Sequence, residues 1–441
     1  MKILFVSLGC DKNLVDTEFM IGALGASGHT FTNVEQEAEV IVINSCCFIN
    51  DAKEESIQTI LEMAEYKDSG SCKVLVVAGC LAQRYQEEIH KEIPQVDVLL
   101  GTNSYEEIVK ALDEAQKGKH YENYQSLEGL PVHHAKRSLT TGGHYAHLKI
   151  AEGCDKNCTY CIIPKIRGRY RSVPIEELTK QARELASQGV KELILVAQET
   201  TRYGVDLYGE KSLHKLLDQL NEIPGIHWIR ILYCYPEEIY EELICAIKRN
   251  SKVCHYLDMP IQHINDTILK RMGRRTTKAE LTEKIQHLKE EIPDITLRTT
   301  LISGFPGETD QMHEELMYFL NEIEFDRLGV FPYSPEEGTP AAEFPDQIEE
   351  EQKIEWRDAV MELQEEIIFD KNEEFIGQEL WVMIEGRVDG EHAYVGRTYR
   401  DAPEIDGYIF VNTDTELMTG DFVRVRVTGA YEYDLIGEMI P

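Results

Sequence analysis

The sequence predicts an α/β protein in three parts: an N-terminal doubly wound parallel-sheet domain, a central α/β barrel and a small C-terminal antiparallel β-barrel. Three observations point there. Short β-branched runs alternate with helical periodicity from Lys2 to Ala115, the same alternation restarts after a polar gap, and the last stretch reads as strands set between Gly and Asp turns. A chain of 441 residues also exceeds what one hydrophobic core usually serves.

In the first part KILFVSLGC, EVIVINSC, KVLVVAGC and VDVLLG are the candidate strands, with helices expected near Asp16 to Leu24, Lys53 to Tyr66 and Tyr105 to Ala115. Strands separated by helices pair in parallel and are covered on both faces, so residues 1–117 form an open doubly wound domain. The segment 118–143, with its Gly, Pro, His and Ser content, is expected to be a linker. Six strand candidates follow within 144–370: HLKIAEG, ELILVAQE, WIRILYCYP, YLDMPIQ, ITLRTTLISGFPGE and RLGVFPYSP. With helical patterns such as IEELTKQARELASQG between them, they suggest a full or partial barrel. An acidic helix around Glu349 to Glu366 leads into 371–441, where QELWVMIEG, HAYVGRTY, GYIFVN and DFVRVRVTGAY give the small β-barrel.

Lys and Arg number 45 against 79 Asp and Glu, a net charge of −34 that repels a phosphate backbone and disfavours nucleic acid as the substrate. The excess sits at the C-terminal end, with 13 acidic and 3 basic residues in 341–375 and 13 and 5 in 376–441. Residues 136–172 run the other way, with 8 basic and 2 acidic, and hold the tightest cysteine cluster, so an anionic cofactor is expected there. The apolar run in MKILFVSLGC is too short to span a bilayer and lacks a secretory cleavage site, so a cytoplasmic protein with no membrane association is expected. Eleven cysteines in such a chain argue for metal ligation or buried thiols over a disulfide framework.

In GCDKNCTYCIIP the spacing places Cys154, Cys158 and Cys161 on one loop after the first barrel strand. A structural zinc site would want a fourth Cys or His, and the nearest, His147, falls inside the preceding strand pattern. Three thiolates suit a cubane cluster with one iron left open. An open iron can hold the amino and carboxylate groups of S-adenosylmethionine, whose one-electron cleavage gives a radical. In this the sequence resembles the radical-SAM superfamily. Gln198 and Glu199 in VAQETT, with Gly304, Gly307 and Glu308 in ISGFPGE, end later strands on the same predicted edge and are candidate cofactor-lining residues, though strand-end turns explain them nearly as well.

Cys10, Cys46 and Cys80 are too far apart for a local motif, yet each ends a predicted parallel strand. All three therefore emerge at one sheet edge, the ligand-binding crevice of a doubly wound fold, and are read as a second cluster site. The bland alternative is that cysteines are common buried residues at strand ends. Cys47 competes with Cys46, since neighbours on a strand point opposite ways; Cys46 is chosen for its match to the other two. Cys72, Cys234, Cys245 and Cys254 are read as structural.

From LGCDKNLVD through GCDKNCTYCIIPKIRGRYRS to DAPEIDG, the whole chain resembles the radical-SAM methylthiotransferases, most closely the RimO family. The resemblance implies an auxiliary 4Fe-4S cluster in the N-terminal domain, a radical-SAM 4Fe-4S cluster in a TIM-like barrel, and a C-terminal TRAM domain that presents the substrate. It implies insertion of a methylthio group at the β-carbon of an aspartate in small-subunit ribosomal protein twelve. Two molecules of S-adenosylmethionine and a low-potential electron donor, such as a flavodoxin or ferredoxin, are implied with it. Asp401, Glu404 and Asp406 in DAPEIDG match a motif of that family and are candidate substrate-docking acids. Cys47 and Glu199 depart from it, where a small residue and Asp are expected. The competing readings are a transfer-RNA adenosine methylthiotransferase, a noncatalytic iron-sulfur scaffold or redox module, and a zinc-binding interaction protein.

Overall fold

The computed structural model describes residues 1–131 and 136–441. They form two compact units, one made of Met1–Thr140, Ala151–Val173 and Ser334–Ala342, the other of Thr141–Ile150, Pro174–Tyr333 and Glu343–Pro441.

The first unit is built on six parallel strands in the order Thr30–Phe31, Lys2–Ser7, Val40–Ser45, Val74–Gly79, Val98–Leu100 and Tyr121–Asn123. Val40–Ser45 and Val74–Gly79 are buried at every position, which is why they read as unbroken apolar runs. Their alternate residues enter opposite cores. Val40, Val42, Val74 and Val76 join Val15, Met20 and Leu24 of helix Asp11–Ala26, while Ile41, Ile43, Leu75 and Val77 join Ile60 of helix Asn50–Ala64 and Leu81. The doubly wound expectation holds.

Both edge strands lie outside the sequence reading, because two or three residues give no period to detect. One of them, Tyr121–Asn123, falls in the segment expected to be a linker. That segment is held down further along: Asn103 Nδ2 donates to Ser126 O at 2.6 Å and to Gly129 O at 3.1 Å, and buried Arg137 pairs with buried Glu18. Residues 132–135 of the expected linker lie outside the described residues.

The second unit carries six parallel strands in chain order: Tyr145–Lys149, Glu192–Val196, Trp228–Ile231, Val253–Asp258, Thr296–Ser303 and Arg327–Pro332. This is the partial form of the barrel, an open sheet. Helix Glu350–Glu373 follows, burying Trp356, Val360 and Ile368 and giving Gln364 Nε2 to the Phe325 carbonyl at 2.9 Å.

The last part of this unit is a closed barrel of Glu379–Arg387, Ala393–Arg397, Ile409–Asn412, Asp434–Met439 and Phe422–Tyr431. One pair departs from the antiparallel expectation: Ile409–Asn412 runs parallel to Asp434–Met439. Five strands cannot alternate in direction all the way round a closed ring, so one parallel pair is required. Among the described residues no helix is long and apolar enough to cross a membrane.

Candidate functional site

The first unit contains all six cysteines singled out by the sequence. Strand Lys2–Ser7 is followed by Leu8, Gly9 and Cys10, which caps helix Asp11–Ala26; Cys46 follows Ser45; and Cys80 follows Gly79 as the first residue of helix Cys80–Arg84. Parallel strands thus deliver three thiols to one edge. A side-chain carbon at Gly9 would lie 2.9 Å from Cys46 Sγ, so the backbone beside Cys10 runs against Cys46. The thiols also sense one another: burial pushes Cys46 and Cys80 above the ordinary value, nearby Cys10 adds to the rise in both, and the Arg167 guanidinium opposes it. Cys47 lies near as well, adding to the rise at Cys80 alongside Cys46, and it also has Arg84 for a neighbour. Burial pushes it up to about 12, against Arg84, and its carbonyl accepts from Arg84 Nη1 at 3.4 Å.

The second triad sits on a loop closed at its base by a two-stranded ribbon, Ala151–Glu152 against Arg171–Ser172. Cys154 N–H donates to Gly168 O at 3.1 Å and Cys161 N–H to Cys158 O at 3.1 Å, while Lys156 N–H reaches Cys154 Sγ at 3.4 Å. Burial raises the Cys161 thiol, with Cys158 and Cys154 adding to it. Residues from far along the chain fix this loop, since Lys165 Nζ donates to Gly338 O at 2.7 Å and Ala341 N–H to Thr159 O at 2.9 Å. His147 is buried within strand Tyr145–Lys149.

Among the described residues no three His, Cys, Asp or Glu side chains are gathered tightly enough to hold one metal ion. Cubane ligands need not be, because each thiolate takes a different iron. Two triads of mostly buried thiols, one approached by a guanidinium and one by a backbone N–H, fit such clusters in chemistry and burial.

Arg167 follows Cys161 by six residues and reaches back to Cys80 of the other triad, and it was not among the predicted site residues. Its Nη1 donates to Asp16 Oδ2 at 3.1 Å and to Glu152 Oε2 at 3.0 Å, and its Nη2 contacts Asn13 Oδ1 and reaches Cys80 Sγ at 3.6 Å. The basic run 136–172 therefore has a second use besides any cofactor: Arg137 and Arg167 neutralise the buried carboxylates Glu18, Asp16 and Glu152.

The cofactor-lining candidates lie in the other unit. Glu199 is buried and accepts from Thr201 Oγ1 at 3.0 Å, beside partly buried Gln198. Glu308 accepts from Gly304 N–H at 2.7 Å, Phe305 N–H at 3.0 Å and His263 Nε2 at 3.2 Å, so internal packing accounts for it. Gly304 lies against Lys353 and Gly307 against Arg271.

The docking acids need correcting. Asp401 is buried and pairs with Arg327, and it accepts from Thr398 Oγ1 at 2.7 Å. The Asp406 carboxylate is buried as well, accepting from Tyr256 O–H at 2.7 Å and Ala402 N–H at 2.9 Å. Both anchor their loop to the sheet strands of the same unit and are not available to a partner. Glu404 alone is exposed, with Oε1 accepting from Tyr145 O–H at 3.0 Å. Cys72, Cys234 and Cys254 are buried, as read; Cys245 is exposed, because Leu243, Ile244, Ala246 and Ile247 form the buried stripe of its helix and position 245 falls on the other face.

Comparison with known proteins agrees with these features. Residues 2–101 match the profile of the Uncharacterized protein family UPF0004, 148–320 that of the Radical SAM superfamily, and 376–440 that of the TRAM domain. Among solved structures, the radical S-adenosylmethionine methyltransferase TsrM from Kitasatospora setae shares the fold at a TM-score of 0.54 and 13% identity, over 77% of this chain and 76% of that one. The parallel sheet and the matching profile define a radical-SAM enzyme.

The similarity to curated proteins is closer. The ribosomal protein uS12 methylthiotransferase RimO of Lachnoclostridium phytofermentans is 60% identical over 99% of both chains, and that of Clostridioides difficile is 48% identical over 100% of this chain and 99% of the relative. The chain belongs to the ribosomal protein uS12 methylthiotransferase RimO family.

Proposed function

We propose that this protein inserts a methylthio group at the β-carbon of an aspartate in ribosomal protein uS12, with Cys154, Cys158 and Cys161 holding one 4Fe-4S cluster and Cys10, Cys46 and Cys80 the other. The observation that carries the reading is the pairing of two thiol triads within one compact unit of a chain that matches its relatives end to end. When bound, the clusters and S-adenosylmethionine supply a radical able to remove hydrogen from carbon and a sulfur to replace it.

The chain's own residues hold and orient. Lys156 N–H stabilises the Cys154 thiolate, and the Gly168 carbonyl fixes the turn that carries it. Gly338 and Ala341 brace the loop from the far side, so its thiols are set before any cofactor arrives. Gln198 and Glu199 remain the candidates for cofactor contact, with the backbone of the Gly304–Glu308 turn, which ends a later strand of the same sheet, as a weaker one. Glu404 is the remaining docking acid of DAPEIDG. The acidic excess of 341–441 favours a basic protein partner over RNA. A flavodoxin or ferredoxin supplies electrons, and the cytoplasm, where uS12 is made and assembled, is the location. The working modules are 1–117, 144–370 and 371–441.

The test is an anaerobic assay of the reconstituted protein with S-adenosylmethionine, a chemical reductant and uS12, read by mass spectrometry. A methylthio increment on one aspartate supports the reading. Cleavage of S-adenosylmethionine without any such increment contradicts it.

A further inference from the structure

We infer that Arg167 is a positioning residue shared by the two thiol triads, and that its guanidinium, placed against Cys80 Sγ, raises the reduction potential of the group held by Cys10, Cys46 and Cys80. The inference rests on the reading that those three thiols hold a cluster.

Four observations lead to it. Arg167 is almost fully buried and donates from Nη1 to two buried carboxylates, Asp16 and Glu152. Isolating a cation from water is costly, and breaking such a set by removing one partner is costlier still. Its other nitrogen is turned away from the carboxylates, toward Asn13 Oδ1 and Cys80 Sγ, the latter at 3.6 Å. Asn13 in turn gathers the remaining loops of that triad, because its Nδ2 donates to Leu8 O at 3.1 Å and Ser45 O at 3.0 Å, just before Cys10 and Cys46. Arg167 therefore addresses the Cys80 sulfur directly and the other two loops through one amide.

It reaches the second triad through the chain itself. Arg167 ends helix Ile163–Arg167, which begins two residues after Cys161; the next residue, Gly168, accepts from Cys154 N–H; and Glu152 stands two residues before Cys154. One side chain thus fixes the relative register of both cysteine loops. Only arginine can do this, because the task needs separate donors pointing two ways from a rigid fork, which a lysine ammonium lacks.

The electrostatic consequence has a definite sign. Reduction adds negative charge to a thiolate-bound cluster, and a fixed buried cation donating to one of its sulfurs favours the reduced form, so potentials respond to such hydrogen bonds. Removing the donor shifts the potential downward. A residue that merely held the fold would leave it where it was.

The experiment is a potentiometric titration of full-length, anaerobically reconstituted protein followed by electron paramagnetic resonance, with the triple variant C154A/C158A/C161A used to assign the auxiliary signal. R167K keeps the charge and loses the fork; R167Q/E152Q removes one buried charge of each sign and guards against misfolding. At the parent's midpoint the oxidised-to-reduced ratio of the auxiliary signal should rise at least tenfold in both variants, about 59 mV for a one-electron couple, with iron content unchanged. Loss of iron from that site alone, with the circular dichroism spectrum intact, also supports a role toward these thiols. An unchanged midpoint in both variants with full iron content overturns the inference. Absence of the auxiliary signal from the parent and from the triple variant instead overturns the cluster reading on which it rests.

Discussion

Arg397 and Glu192, 205 positions apart in the chain, share a hydrogen bond of 2.8 Å in which neither side chain is exposed. The other Glu192 oxygen accepts from Arg230 Nε at 2.7 Å, and Arg397 also pairs with Glu385. A carboxylate from an interior strand of the sheet is thus clamped between an arginine of the next strand and one of the small barrel. Replacing Glu192 with Ala leaves two guanidinium groups buried beside one another, and breaking a buried pair in this way costs about 3–5 kcal/mol. Urea unfolding of the E192A variant should show a loss of that size, and a loss under about 1 kcal/mol, as for an exposed pair, would mean water enters to solvate the arginines.

Gly79 controls the entry to Cys80. Its φ is 90°, and an added side-chain carbon would stand 2.3 Å from Asn44 Oδ1 and 2.7 Å from Ser45 O. The Gly79→Ala variant should lose about 1–3 kcal/mol from the backbone strain alone. Because Ser45 and Asn44 precede Cys46, iron should fall at the auxiliary site while the Cys154, Cys158 and Cys161 site keeps its own. Iron counting with spectroscopy on the variant checks this; equal loss at both sites would point to general unfolding.

Low pH should loosen the loop that carries Asp401. Burial alone would raise the Asp401 carboxyl above its ordinary 3.8, but Arg327 and Arg400 outweigh it and hold the value lower. A folded value below the unfolded one contributes stability that is full above the unfolded value and is lost as pH falls through the folded one. Parent stability should therefore decline more steeply below about pH 4 than that of Asp401→Asn, measured by urea unfolding at a series of pH values. Asp406, which burial raises with the Asp401 charge adding to the rise, has the opposite sign, so the two proteins are compared in an Asp406→Asn background.

The two triads should separate in function. Cys154→Ala should abolish reductive cleavage of S-adenosylmethionine, whereas Cys80→Ala should retain cleavage and lose sulfur transfer. Product analysis for deoxyadenosine and for methylthiolated uS12 reads the two steps apart. Equal loss of cleavage in both variants would argue against separate centres.

The sequence made the strands and the six cysteines legible because both are local signals: a β-branched run followed by a helix, and a thiol at its end. It gave no hint of Arg167, whose partners Asp16 and Asn13 lie 151 and 154 positions away. Only the basic content of 136–172 marked the region, and composition cannot say which arginine turns inward. The acids of DAPEIDG misled for a related reason. Acidic residues in a turn read as exposed, yet Asp401 and Asp406 find Arg327 and Tyr256 on sheet strands of the same unit. The short edge strands escaped because a run of two or three residues has no periodicity.

The most direct measurement is mass spectrometry of uS12 and of bulk transfer-RNA nucleosides from cells that lack their own enzyme, with and without this gene. A methylthio group appearing on one uS12 aspartate only when the gene is present is the expected result. Its appearance on adenosine alone, with uS12 unchanged, would contradict the assignment of substrate.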